Sequence, residues 1–175
     1  MGTIMLKACD RKIYNLRKRI SNLEKKKYLT IIQENKIARK IRDHKLLQLG
    51  LLFEITYTLI YSEYEVTGHL LQLKEKQGEE LNILQTEGNS IFSEISIEEH
   101  DKEEVRYLLT EERKARNHIL ISYGALLEST NTMYYPLSVL IAYIRNIHNY
   151  TKEELKSLEE IGRQFFREKD GKGEN

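Results

Sequence analysis

The chain has 175 residues, 31% of them charged, with one proline, one cysteine and no tryptophan. Lys, Glu, Leu and Ile dominate, a composition that favours helix over sheet and fits one domain or two small ones. The single Cys9 excludes an internal disulfide, and the longest apolar tract, Leu46 to Tyr61, is interrupted by Gln48 and Glu54 and is too short to cross a bilayer.

The net charge of +1 hides an asymmetry: residues 1–50 hold 14 Lys/Arg against 4 Asp/Glu, and the remainder 14 against 23. A basic arm of this kind calls for an acidic partner, commonly nucleic acid. The N-terminus has no charged start, apolar stretch and small-residue cleavage site of a signal peptide, and the unpaired cysteine fits a reducing compartment, so a cytoplasmic protein without membrane insertion is expected.

In chain order, Ile13, Leu16, Ile20 and Leu23 recur at three- and four-residue spacing, a heptad-like helical stripe surrounded by Arg11, Lys12, Arg17, Lys18 and Arg19. The stripe fades through Lys25, Lys26 and Lys27 and resumes at Ile37 and Ile41. The spacing predicts one basic helix of roughly 40 residues, with a break admissible between Tyr28 and Gln33. Next comes an apolar face of Leu46, Leu49, Leu52 and Phe53 with Gly50 inside it. A glycine there costs about 1 kcal/mol against alanine, so either another helix packs closely over it or the helix bends. A second helix is expected near Glu63 to Lys74 and a third from about Gly78 to Phe92.

The same pattern then returns. Aligning residues 39–94 with 113–168, without a gap and 74 positions apart, gives 18 identities in 56 positions. They include Arg39/Arg113, Lys40/Lys114, Arg42/Arg116, His44/His118, Gly50/Gly124, Glu54/Glu128, Thr56/Thr130, Thr58/Thr132, Tyr61/Tyr135, Gly88/Gly162 and Phe92/Phe166. Chance would supply about a quarter of that or less, and a tandem duplication is the economical reading. In the second copy Leu120, Tyr123, Leu126 and Leu127 repeat the apolar face, Pro136 to Ile147 the second helix and Thr151 to Arg167 the third. Pro136 suits a first helical turn, and Thr151 with Glu154 has capping-box spacing, as do Ser96 and Glu99. The expected fold is all-α: a long N-terminal basic helix followed by two tandemly duplicated three-helix units. The boundaries read as a coiled-coil-like arm over 1–38, repeats over 39–94 and 113–168, an acidic connecting helix over 95–112 and a disordered tail over 169–175.

Candidate function rests on the cations. Arg39, Lys40, Arg42 and Lys45 precede the first apolar face; Arg113, Lys114 and Arg116 precede the second; Arg11, Lys12, Arg17, Lys18 and Arg19 line the arm. Cations at this density along a helix can neutralise successive phosphates; the competing reading is a solvated, salt-bridged face. The acidic stretch Ser93 to Glu112 weakens the case for the second cluster and could itself pair with the arm. His44 and His118 lack ligand partners at helical spacing, so no metal or cofactor is expected. Tyr61/Tyr135 reads as a packing residue with a wet hydroxyl. No phosphate-binding loop, paired-carboxylate arrangement or catalytic triad stands out, so the chain reads as a non-enzyme.

The string Ala38-Arg-Lys-Ile-Arg-Asp-His-Lys-Leu-Leu-Gln-Leu-Gly50, after a basic heptad helix, resembles the small TraD-type (Ti-plasmid-like) conjugal transfer proteins of plasmids and other mobile genetic elements. Glu112-Arg-Lys-Ala-Arg-Asn-His-Ile-Leu-Ile-Ser-Tyr-Gly-Ala-Leu-Leu-Glu128 is the closer match, and Leu158 to Phe166 is similar to the family's Gly-to-Phe ending. The resemblance implies an accessory of conjugative transfer, a relaxosome component that binds DNA and/or the relaxase at the transfer origin. It makes Arg39, Lys40, Arg42 and Lys45, with Arg113, Lys114 and Arg116, the basic positions of the motif. The typical member is a single short unit, whereas this chain is doubled, and Leu51 replaces the small residue that Ala125 supplies in the second copy. The alternative is a helical interaction module, a homo-oligomer or a binder of an acidic partner, that ignores DNA. An operator-binding regulator is disfavoured because no helix-turn-helix signature sets off a recognition helix.

Overall fold

The computed structural model describes the backbone of residues 2–97 and 110–171, and side chains of 16–95 and 110–171. The fold is all-α: among the described residues there are six α-helices, two short 3₁₀ turns and no strand. The helices are α1 (Gly2–Ile55), α2 (Glu63–Leu73), α3 (Glu79–Ile97), α4 (Thr110–Ser129), α5 (Leu137–Arg145) and α6 (Lys152–Asp170). α1 runs for 54 residues and is not broken between Tyr28 and Gln33. Fading of the apolar stripe there changes what the helix presents, but no proline removes a donor, so the hydrogen-bond ladder continues.

The chain forms two compact units, Met1–Arg42 and Asp43–Asn175. The first is the greater part of α1. In the second, the apolar faces expected from spacing form the core: Leu46, Leu49, Leu52 and Phe53 are buried, as are Leu120, Tyr123, Leu126 and Leu127. The two glycines in these faces mark close helix packing. A Cβ at Gly50 would stand 2.0 Å from the Leu120 carbonyl oxygen, and one at Gly124 would stand 2.0 Å from that of Leu46. As the position in α1 rises the position in α4 falls, so the two helices cross antiparallel, backbone against backbone.

Both of these helices end in the same device. Thr56 Oγ1 donates to the Leu52 carbonyl at 2.7 Å and Thr58 Oγ1 to that of Phe53 at 3.1 Å. Thr130 Oγ1 donates to Leu126 at 2.7 Å and Thr132 Oγ1 reaches Leu127 at 3.5 Å. Tyr57 and Asn131, between the threonines, are left-handed at φ 56° and 60°. The Leu52, Leu126 and Leu127 carbonyls also accept backbone N–H groups of the turn, so there the buried threonine hydroxyls add a further bond to the closing turn, while the Phe53 carbonyl accepts from the Thr56 and Thr58 hydroxyls. That accounts physically for Thr56/Thr130 and Thr58/Thr132 as repeated residues.

The remaining helices pair between the first and second halves of this unit. α2 packs on α6 and α3 packs on α5. Gly88 on α3 lies under the Ser138 backbone of α5, and Gly162 on α6 lies under the Tyr64 backbone of α2. Shifting either pair by 74 positions yields the other, which is the reciprocity that a two-fold relation requires. At such an axis a residue meets its own equivalent: the rings of His69 and Tyr143 stack at 4.2 Å with planes 3° apart. The second unit is therefore built by helices of 43–97 interlocking with helices of 110–170 rather than from two three-helix bodies side by side.

Helix starts follow their sequences, with one revision. Thr151 and Glu154 form the expected capping box of α6, and Ser62 with Glu65 makes an unanticipated one at α2. Ser96 is not a cap: it lies in the last turn of α3, and Glu99 falls outside the described residues. Pro136 is the N-cap of α5, whose last turn passes into a 3₁₀ turn at Asn146–Asn149. Lys169 and Asp170, read as tail, complete α6. Most of the acidic connection, residues 98–109, lies outside the described residues, as does 172–175.

Candidate nucleic-acid interface

The first unit presents cations along an unbroken helix. Arg17, Lys18, Arg19, Arg39, Lys40 and Arg42 are exposed, as are Lys25, Lys26, Lys27 and Lys36. The side chains of Arg11 and Lys12 lie outside the described ones, although both residues belong to α1. A helix rises 1.5 Å per residue, so Arg17 to Lys40 spreads these charges over about 35 Å of axis. The apolar stripe beside them is exposed too: Leu16, Ile20, Leu23, Ile37 and Ile41 keep 53–66% of their surface in solvent.

Cations of the second unit take part in contacts of the fold. Arg116 makes a two-pronged contact with Glu54, Nε to Oε1 at 2.7 Å and a terminal nitrogen to Oε2, with both side chains about two-thirds covered. This pair joins α4 to α1, and guanidinium planarity matches the carboxylate at both oxygens. Lys114 pairs with Glu111 at 2.8 Å on the exposed face of α4. Lys45 is exposed with its ammonium 6.0 Å from the Tyr134 ring, and Arg113 is exposed. His44 and His118 stand on the surface. Among the described residues no group of three or more His, Cys, Asp or Glu side chains gathers as metal ligands would.

Two further histidines carry polar contacts of the second unit, His69 in its interior and His148 at its surface. His69 is 1% exposed; its Nε2 donates to the Tyr143 carbonyl at 2.7 Å, and the Tyr143 hydroxyl donates back to the His69 carbonyl at 3.0 Å. Because a carbonyl only accepts, the proton sits on Nε2, and Nδ1 is left buried without a partner. Burial holds the His69 pKa down at about 4, and it raises that of Tyr143. His148 donates from Nε2 to the Thr56 carbonyl at 2.8 Å and accepts the Tyr61 hydroxyl at Nδ1, 3.0 Å away. Tyr61 packs against the core as expected, and its hydroxyl meets His148 at the exposed surface. Only the offset of 74 could have paired His69 with Tyr143, and unlike residues at matched positions are not what a search for identities finds.

No protein-family model, no curated protein and no solved structure matches the chain.

Proposed function

We propose that the protein is a non-enzymatic DNA-binding accessory of conjugative transfer, with α1 lying along the phosphate backbone and the second unit serving as a folded body for protein contacts. The observation that carries the reading is the row of exposed cations from Arg17 to Lys40 on one uninterrupted helix. Such a row binds by releasing counterions, which makes affinity fall steeply with salt and leaves it indifferent to base sequence. The transfer role, and the relaxase as protein partner, rest on the resemblance of residues 38–50 and 112–128.

The test is titration of the protein into a labelled duplex and its matched single strand at two salt concentrations. With six or more phosphates contacted, affinity drops by about 10³-fold or more between about 50 and 200 mM salt. Replacing Arg39, Lys40 and Arg42 together by alanine removes most of the low-salt affinity; unchanged binding would end the proposal. A second reading, that the arm serves protein contact, is favoured by the exposed leucines and isoleucines, which a phosphate backbone does not use.

A further inference from the structure

The apolar stripe of the arm has the spacing of a helix-to-helix seam. In heptad terms Leu6, Ile13, Ile20 and Ile41 take a positions, and Cys9, Leu16, Leu23 and Ile37 take d positions. β-branched residues at a with leucine at d are what two parallel helices accept most readily. The apolar a and d positions run unbroken over residues 6–23, three a/d pairs and about 27 Å of helix, and the register resumes at Ile37 and Ile41. Lys27 and Glu34 at a, with Thr30 at d, interrupt the middle of the seam, the kind of polar interruption that fixes register at some cost in stability.

The charges sort around that seam. Arg11, Lys18, Lys25 and Arg39 fall at f, opposite it, so that pairing two arms turns these cations outward. Across a parallel pair, Arg19 at g faces Glu24 at e of the second copy, twice by symmetry, which offsets the like-charged approach of Lys12 and Arg17. Over residues 16–27 the stripe is narrow, two residues in seven, whereas a helix lying on a lipid surface exposes a broader apolar face; Tyr28, Leu29 and Ile31 are exposed off the seam.

We infer that the arm pairs in parallel with the arm of a second copy through Leu16, Ile20, Leu23, Ile37 and Ile41, leaving its f-position cations on the outside of the pair. This deepens the protein-contact reading by naming the partner, and its test contains no DNA. Residues 1–42 hold 13 Lys/Arg against 3 Asp/Glu, so two arms repel at low ionic strength. Salt screens that repulsion, and dimerisation therefore strengthens as salt rises, the opposite of DNA binding.

The experiment is sedimentation equilibrium of the full chain, in reducing buffer, over a range of concentration and salt. It is repeated on a variant carrying Leu16→Asn and Leu23→Asn, both at residues more than half exposed in the chain alone. Circular dichroism checks that the variant keeps its helix. Native Cys9, at a d position, supplies an orientation probe: mild oxidation links two copies through it only when the arms run parallel and in register, with Cys9→Ser as control. The expected result is twice the chain mass, association weakened at least about 100-fold by the two asparagines, and a Cys9 cross-link in the dimer. A monomer throughout would mean that another molecule fills the seam. A dimer indifferent to the asparagines would place the interface elsewhere, and a sensitive dimer without the cross-link would refute the parallel arrangement. Each of these three outcomes overturns the inference while leaving the DNA titration to be judged on its own.

Discussion

Protonating His69 places a charge on Nδ1, a buried nitrogen that no acceptor faces. Around the ring are Tyr143 stacked upon it, Tyr150 edge-on at 5.4 Å and the positive field of Lys76. The folded pKa of about 4 lies below the ordinary 6.5, so the folded state favours the neutral ring. The stability this contributes is fully present above pH 6.5 and is lost as pH falls from 6.5 towards 4. Urea unfolding of the wild type is expected to lose about 2–3 kcal/mol from this group between pH 7 and pH 4.5. His69→Phe, less stable at neutral pH for want of the bond to Tyr143, shows a correspondingly flatter decline over the same interval; equal slopes would remove His69 from the account. Arg116 poses the other residue-scale question, because its two-pronged bond to Glu54 ties two helices together. Arg116→Ala is expected to cost about 1 kcal/mol of stability in thermal unfolding, and Arg116→Lys to recover little of it. The same variants in the DNA titration measure any phosphate contact separately: a loss of affinity that exceeds the loss of stability would assign Arg116 to both tasks.

The helices pack as closely as they do because particular positions lack a side chain. Gly50→Ala or Gly88→Ala would drive a methyl to within about 2 Å of a backbone carbonyl on the facing helix, a group unable to swing away. Either is expected to destabilise the second unit by 3 kcal/mol or more, at or above the top of the usual overpacking range of about 1–3 kcal/mol, as read by denaturant midpoint. Much at this scale was legible. The three- and four-residue spacing picked out Leu46, Leu49, Leu52 and Phe53, because helical periodicity reports directly which face is buried. Repeated glycines inside those faces left close packing or a bend open, and the backbone approach at Leu120 and Leu46 answers for close packing. Caps were read less evenly. Thr151 and Glu154 sit where a helix begins, but Ser96 and Glu99 share the same spacing as Ser62 and Glu65, and only the course of the chain tells a cap from residues a helix tolerates in its body. One long basic helix was the expectation and is what forms; a break near Tyr28 was admissible only because the apolar pattern fades there, which weakens a stripe without weakening backbone hydrogen bonds.

At the scale of the molecule, periodicity names a buried face but not the partner that buries it. Hence the exchange of α2 onto α6 and α3 onto α5 was not legible, although the offset of 74 between the repeats was. The exchange has a thermodynamic signature. Neither repeat keeps a complete set of neighbours if the other unfolds, so residues 43–175 are expected to unfold in one transition. Native-state hydrogen exchange should give amides of α2 and α6 the same opening free energy, within about 1 kcal/mol, where two independent three-helix bodies would differ. The cations of the proposed interface were legible as a charge asymmetry. Their commitment was legible in part: Glu54 on an apolar helix face calls for a cross-helix or neighbouring basic partner, and the pair with Arg116 is one, but with the two residues 62 positions apart a sequence does not name the partner.

The interlock also sets a timetable for synthesis. The Thr56 carbonyl, at the end of the first long helix, waits for His148, 92 residues downstream, before its hydrogen bond can form. At roughly 5–20 residues per second a ribosome takes about 5–20 s to supply that residue. For the earlier part of that interval, until α4 (Thr110–Ser129) has been made, Leu46, Leu49, Leu52 and Phe53 stand without the helix that covers them, a span in which a chaperone or a neighbouring nascent chain can reach them first.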